Sequence, residues 1–145
     1  MKETSQLSLK LRLRRWRDFR AEVKDIDAIV DRLRAVVDFW KTTPLGTREI
    51  DPYDESSWPN PWTMLEVNKY DENVIALGMA YTLHYVGHDC RILYVQHVKN
   101  SEIKLIVLVD KTYILNYNYD SVNTVEVMKE FEVLKDISIS TLTES

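Results

Sequence analysis

The sequence predicts an α+β fold, and three observations carry the prediction. Apolar residues recur at three- and four-residue steps through the first third of the chain. A second segment, Val74 to Val86, is apolar nearly all round, as a helix buried on several sides must be. From Arg91 onward the β-forming residues dominate in short runs separated by turn signals. The expected architecture is an N-terminal strand and a long amphipathic helix, then a Pro/Trp-rich loop, then a buried central helix packed on an antiparallel sheet. With 145 residues and no linker-like stretch, the chain reads as a single domain, 1–145.

Leu7, Leu9, Leu11 and Leu13 alternate with Ser8, Lys10, Arg12 and Arg14, a period of two that predicts a strand with one basic face. Trp16, Phe19, Val23, Ile26, Val30, Leu33, Val37 and Trp40 then follow a helical period and predict one continuous helix that ends before Pro44. The stretch from Thr42 to Pro61 holds all four prolines and predicts an irregular loop, stiffened at Trp58-Pro59-Asn60-Pro61-Trp62. At least one of these tryptophans is expected to be buried as a clamp on the next helix. Pro61 can open a short helical turn, and Asp71 is a good N-cap for the buried helix, which Gly87 should end. Strands are expected over Arg91–Val98, Ile103–Val109 and Thr112–Tyr117, with turns at Asn100-Ser101 and Asp110-Lys111. Asn116 to Asn123 is turn-rich, Val122 to Phe131 suits a short helix, and Val133 to Leu142 suits a final strand.

Composition narrows the function classes. A single cysteine, Cys90, excludes an intrachain disulfide and a multi-cysteine metal site. No phosphate-cradling glycine loop, GxSxG or HExxH motif occurs, and no cofactor or metal is expected. Asp51, Asp54 and Glu55 cluster in the loop, where acids are ordinarily solvated. No apolar run approaches the length of a membrane span, and the first residues do not form a signal-like apolar stretch, so the chain is expected to be made and kept in the cytoplasm. Net charge is −4, but residues 1–20 sum to +5 and the remainder to −9. A protein that docks by one end has such polarity. The pI of about 5.4 is low for a dedicated nucleic-acid binder.

The order from Tyr70 to Asn116 (a buried helix, a glycine at its end, then strands with Leu105-Ile106-Val107-Leu108-Val109-Asp110 and Tyr113-Ile114-Leu115-Asn116) resembles the transglutaminase-like, or papain-like, fold. That resemblance implies a cysteine opening the helix, a histidine opening the second strand and an aspartate following on the third. Here the helix start, Tyr70-Asp71-Glu72-Asn73, has no cysteine, the histidine place falls near Lys104 and the aspartate place near Asn116. The resemblance therefore implies a frame without its usual triad. The Trp58 to Trp62 stretch followed by Ala76-Leu77-Gly78-Met79-Ala80-Tyr81-Thr82-Leu83 also resembles small proteins of tailed bacteriophages.

The functional expectation is a non-enzymatic structural or assembly protein that docks on a larger complex, with incorporation into a phage particle as the setting. Protein partners would be bound through Lys10, Arg12, Arg14, Arg15 and Arg17, and through Tyr53, Trp58 and Trp62. No catalytic residue is assigned. Two alternatives stand beside this. One is a cysteine-dependent hydrolase or transferase using Cys90 with a nearby histidine (His84, His88 or His97). The other is a nucleic-acid-binding accessory protein acting through the arginine stripe.

Overall fold

The first regular element beyond a 3-10 turn at Thr4–Gln6 is a helix, where alternation predicted a strand: α1 spans Leu9–Lys24. The structure, a computed structural model, describes residues 4–46, 48–118 and 121–143. Within the leucine alternation lies a helical spacing, Leu9, Leu13 and Trp16, that continues to Phe19 and Val23, the latter three buried. Leu11 is the misleading member, left 43% exposed on the outer face. Leucine, lysine and arginine are strong helix formers, and within α1 no β-branched residue occurs before Val23 to oppose them.

The expected continuous helix is two. α2 spans Ile29–Lys41, and Asp25 to Ala28 form a bend. Arg32 seals it. Its guanidinium donates to the Ile26 carbonyl at 2.6 and 3.0 Å and to the Lys24 carbonyl at 3.1 Å, taking up acceptors that the end of α1 leaves free. The bend lets α2 fold back on α1, so that Phe19 stacks on Phe39 with ring centroids 4.2 Å apart.

After the proline-rich loop come α3 (Pro61–Val67), with Pro61 in its first turn and the Asn60 side chain capping it, and α4 (Glu72–Tyr85). Asp71 caps α4 as expected, accepting the Val74 N–H at 2.7 Å. Every residue of α4 from Val74 to Leu83 is buried. Helices pack on one side of it and the sheet on the other. One hydroxyl serves this core: Thr82 Oγ1 accepts both indole N–H groups, of Trp16 and Trp40, at 3.0 Å each, and donates to the Gly78 carbonyl at 2.7 Å. Gly78 has no alternative there, because a Cβ would stand 2.8 Å from the Trp40 ring. Gly87, at φ +101°, turns the chain out of α4.

The sheet comprises β1 (Cys90–His97), β2 (Ile103–Val109), β3 (Tyr113–Leu115), β4 (Val122–Thr124) and β5 (Phe131–Ser138), in the order β4-β3-β2-β1-β5, every neighbouring pair antiparallel. Ile92, Tyr94, Leu105 and Val107 face the helices. Leu93, Val95, Ile106 and Ile114 face the other way, onto Tyr117, Val127, Met128 and Phe131. Both faces are covered, which is why Ile103–Val109 lacks polar alternation. The β2–β3 connection is a tight turn, with Asp110 and Lys111 both left-handed at φ 51° and 58°.

Two expectations at the end of the chain are corrected. Val122 to Phe131 is not a helix of its own but β4 followed by a 3-10 turn, Val125–Glu130, that closes over the outer face of the sheet. The final strand begins earlier than expected and gives way to α5 (Ile139–Thr143), which buries Ile139. Within the turn-rich 116–123 stretch, Tyr119 and Asp120 lie outside the described residues, as do Lys2 and Glu3.

Candidate active site

Three side chains bolt the start of α4 to its surroundings. Buried Asp71, besides capping the helix, accepts the N–H groups of Glu49 at 2.7 Å and Ile50 at 3.4 Å through Oδ2. Asn73 Oδ1 accepts the Leu105 N–H at 3.0 Å. Asn116, buried and left-handed at φ 66°, donates through Nδ2 to the Leu105 carbonyl at 2.9 Å and the Glu72 carbonyl at 3.2 Å. The helix start, the head of β2 and the residue after β3 therefore meet at one point.

Beside that point opens a cleft of about 330 Å³, lined by Glu72, His97, Glu102, Lys104, Tyr117 and Phe131 among others. Its polar groups are linked. Lys104 Nζ donates to the Tyr117 carbonyl, and the Tyr117 hydroxyl donates to Glu130 Oε1 at 2.7 Å, with Oε2 2.8 Å away. His97 Nδ1 accepts the Lys99 N–H at 3.2 Å, so Nε2 carries the proton directed at Glu130, 3.4 Å away. The Tyr117 hydrogen bond, aided by His97, holds the Glu130 carboxyl below its ordinary range, and the same bond pushes the Tyr117 phenol up. Glu72, in the first turn of α4, and Lys104 make no side-chain ion pair with each other, though both border the cleft.

Cys90 lies at the opposite end of the sheet, at the start of β1. It is 2% exposed, and burial, with Asp110 and Asp89 adding repulsion, pushes its thiol well above the ordinary range. His88 sits two residues earlier. Its Nε2 accepts from Arg32 at 3.1 Å, so Nδ1 donates to Asp110 Oδ2 at 2.7 Å, and neither nitrogen reaches the sulfur. His84 packs edge-on against Tyr85, and His97 is in the cleft. Among the described residues no group of three or more histidine, cysteine or acidic side chains is placed to hold a metal ion.

The residues expected to bind partners are scattered. Arg12 is an internal staple, bonded to the carbonyls of Leu65 at 2.7 Å and Leu7 at 2.6 Å. Arg15 pairs with Glu22 at 3.3 Å. Lys10, Arg14 and Arg17 border a hollow beside Trp62. Tyr53 lies under the Lys135 ammonium at 4.0 Å on another part of the surface. Trp58 is half-buried and donates to the Asp51 carbonyl at 3.0 Å, while Trp62 rests edge-on against Trp16 and stays 47% exposed, so neither is a fully buried clamp. Asp51 and Asp54 close local turns by accepting the N–H groups of Tyr53 and Ser56, and Glu55 pairs with Lys135.

No protein-family model and no curated protein sequence matches the chain. Solved structures do. LapG of Legionella pneumophila, calcium-bound, superposes with TM-score 0.73 at 17% identity, covering 91% of this chain and 77% of that one. A second LapG structure gives 0.72 at 16% identity over 91% and 77%, and the EGTA-treated protein 0.73 at 17% over 91% and 75%. The fold is transglutaminase-like.

The fold expected from the resemblance is thus present. Within it, Glu72-Asn73, Lys104-Leu105 and Asn116 stand where the helix start, second strand and third strand converge. The expectation of a non-enzymatic phage assembly protein is corrected: the solved structures reported above as sharing the fold are structures of LapG, and they give the phage reading no support. Sequence reasoning missed His97, Tyr117 and Glu130 as a group. Lys104 inside an apolar strand and Glu72 in a helix's first turn were the only local signals.

Proposed function

We propose that the chain hydrolyses an amide bond in a polypeptide laid across the cleft at the start of α4. One observation carries this reading: a carboxylate, Glu72, and an ammonium, Lys104, border one cleft at the convergence point of a protease-type fold. On the transglutaminase-like resemblance the thiol's place falls at the helix start, Tyr70 to Asn73, the imidazole's near Lys104 and the carboxylate's near Asn116, so on this reading water serves as nucleophile. Glu72 removes a proton from that water as its oxygen adds to the carbonyl carbon. The Lys104 ammonium offsets the charge gathering on the carbonyl oxygen. The tetrahedral adduct then collapses: the C–N bond breaks, the proton passes from Glu72 to the departing nitrogen, and a carboxylic acid and an amine leave. The Tyr117 carbonyl keeps Lys104 in place, and Glu130 in turn ties the side chains of Tyr117 and His97 together along the cleft wall.

The experiment is to incubate the protein with an unfolded polypeptide and count new N-termini by mass spectrometry. Cleavage is expected from the unaltered chain. At least a hundredfold less is expected from Glu72→Gln and Lys104→Met, the order by which loss of one acid–base or charge-stabilising group reduces rates, roughly 10²–10⁴.

A second reading keeps the thiol. His88, two residues before Cys90, has Nδ1 on the Asp110 carboxylate as an activating histidine has, but its Nε2 is held by Arg32 and would have to be released. The sulfur would have to leave the core at the start of β1 to act. Cleavage abolished by Cys90→Ser and kept by Glu72→Gln selects this reading.

A further inference from the structure

Away from the cleft, α1 carries a row of cations on one face: Lys10, Arg14, Arg17, Arg20 and Lys24, spaced at steps of three and four residues. They border two adjoining hollows of about 360 and 210 Å³ that share Arg17 and Arg20. The walls are aromatic, with Trp62 and Trp16 along the first hollow and Tyr85 along the second. No acidic residue borders either among the described residues. Among the described residues Lys10, Arg14 and Lys24 form no ion pair, and that of Arg17 is an exposed contact with its neighbour Asp18 at 3.3 Å. Arg20 lies 4.0 Å over the Trp16 ring, and its Nε, shut off from solvent, finds no acceptor among the described residues.

Such a groove attracts anions, and its flanks offer apolar surface. Its length follows from the rise of the helix: Lys10 to Lys24 spans about 21 Å. An extended polypeptide of about six or seven residues covers that distance. Nucleic acid fits less well. The chain beyond residue 20 sums to −9, which repels a polyanion that continues past the groove, whereas an acidic segment confines its charge to it.

We propose that this groove docks a short acidic segment of a protein partner, with carboxylates on Arg14, Arg17 and Arg20 and an apolar side chain against Trp62. On the hydrolase reading, and only on it, that partner is the substrate, held at a distance from the cleft where its amide bond is cut.

The test is titration calorimetry of the full chain with a synthetic acidic heptapeptide containing one phenylalanine. Its lysine counterpart and a short oligothymidylate serve as comparisons. Binding of the acidic peptide is expected, at least tenfold weaker for Arg14→Glu/Arg17→Glu, weaker for Trp62→Ala, and weaker as salt rises. The charge-reversal variant alters exposed side chains and should keep the unaltered melting temperature, whereas Trp62→Ala loses edge contacts to Trp16 and Tyr85 and should melt lower while still folding cooperatively. Glu72→Gln should bind the peptide undiminished, so a failure of the hydrolase reading leaves this result standing. No binding, equal binding after charge reversal, or tighter binding of the oligothymidylate overturns the proposal.

Discussion

Asn116 donates to the carbonyl of Glu72 across 3.2 Å, tying the third strand's end to the first turn of α4. The same amide also reaches the Leu105 carbonyl, so one buried side chain holds together the helix, the second strand and the third. The amide nitrogen donates both bonds, and the resulting clamp sets the edge of the cleft beside it.

Replacing Asn116 with alanine should therefore cost about 2–4 kcal/mol. The buried bond to the Leu105 carbonyl and the part-buried bond to the Glu72 carbonyl are lost, and a left-handed backbone at φ 66° loses a residue type that tolerates it. Asn116→Asp keeps that tolerance but sets an acceptor against two acceptors, and should be no more stable than alanine. Urea unfolding measures both. A loss under 1 kcal/mol would show that the clamp contributes little.

Thr82→Val is nearly isosteric yet should destabilise by about 2–5 kcal/mol, because the indole N–H groups of Trp16 and Trp40 would both be left buried without an acceptor. Gly78→Ala should be similarly harmful for a different reason, the 2.8 Å approach of its Cβ to the Trp40 ring. Thermal unfolding with tryptophan fluorescence reads both changes.

Cys90 should be inert in the folded chain. A chromogenic disulfide reagent at pH 7.5 is expected to label it at the rate of unfolding, and at once in denaturant, since the thiol is buried and held protonated. Immediate labelling of the native protein would contradict the buried placement and favour the thiol reading.

Alkaline stability has a definite sign. Burial raises the phenols of Tyr70 and Tyr81 from about 10 to about 12, so the unfolded chain releases these protons first. Their contribution is fully present below pH 10 and disappears as pH rises through 12. The raised Cys90 thiol adds a loss that starts near pH 9. Unfolding free energy measured at intervals should fall steadily above pH 9, and less steeply in Tyr81→Phe.

Much of the fold was legible because its signals are local. Asp71 and Gly87 bracket α4 by cap chemistry and by a positive φ, and the Asp110-Lys111 turn separates two evident strands. The N-terminal strand was misread because a period of two and a helical spacing coexist in the same leucines, and only packing against Trp16 and the later helices decides between them. The break after α1 was hidden because Arg32, six residues past Ile26, closes it. The cleft was the least legible part. Glu130 meets Tyr117 and His97 only after the 3-10 turn brings the chain back over the sheet. Pairing at that sequence distance leaves no periodic trace.

The central claim is that chemistry resides at the start of α4 and not at the cysteine. The rate at which a quenched fluorescent peptide is cut, compared among the unaltered chain, Glu72→Gln and Cys90→Ser, tests it most directly. The account predicts full activity for Cys90→Ser, insensitivity to iodoacetamide, and near-complete loss for Glu72→Gln. Activity that survives Glu72→Gln and vanishes with Cys90→Ser would contradict it.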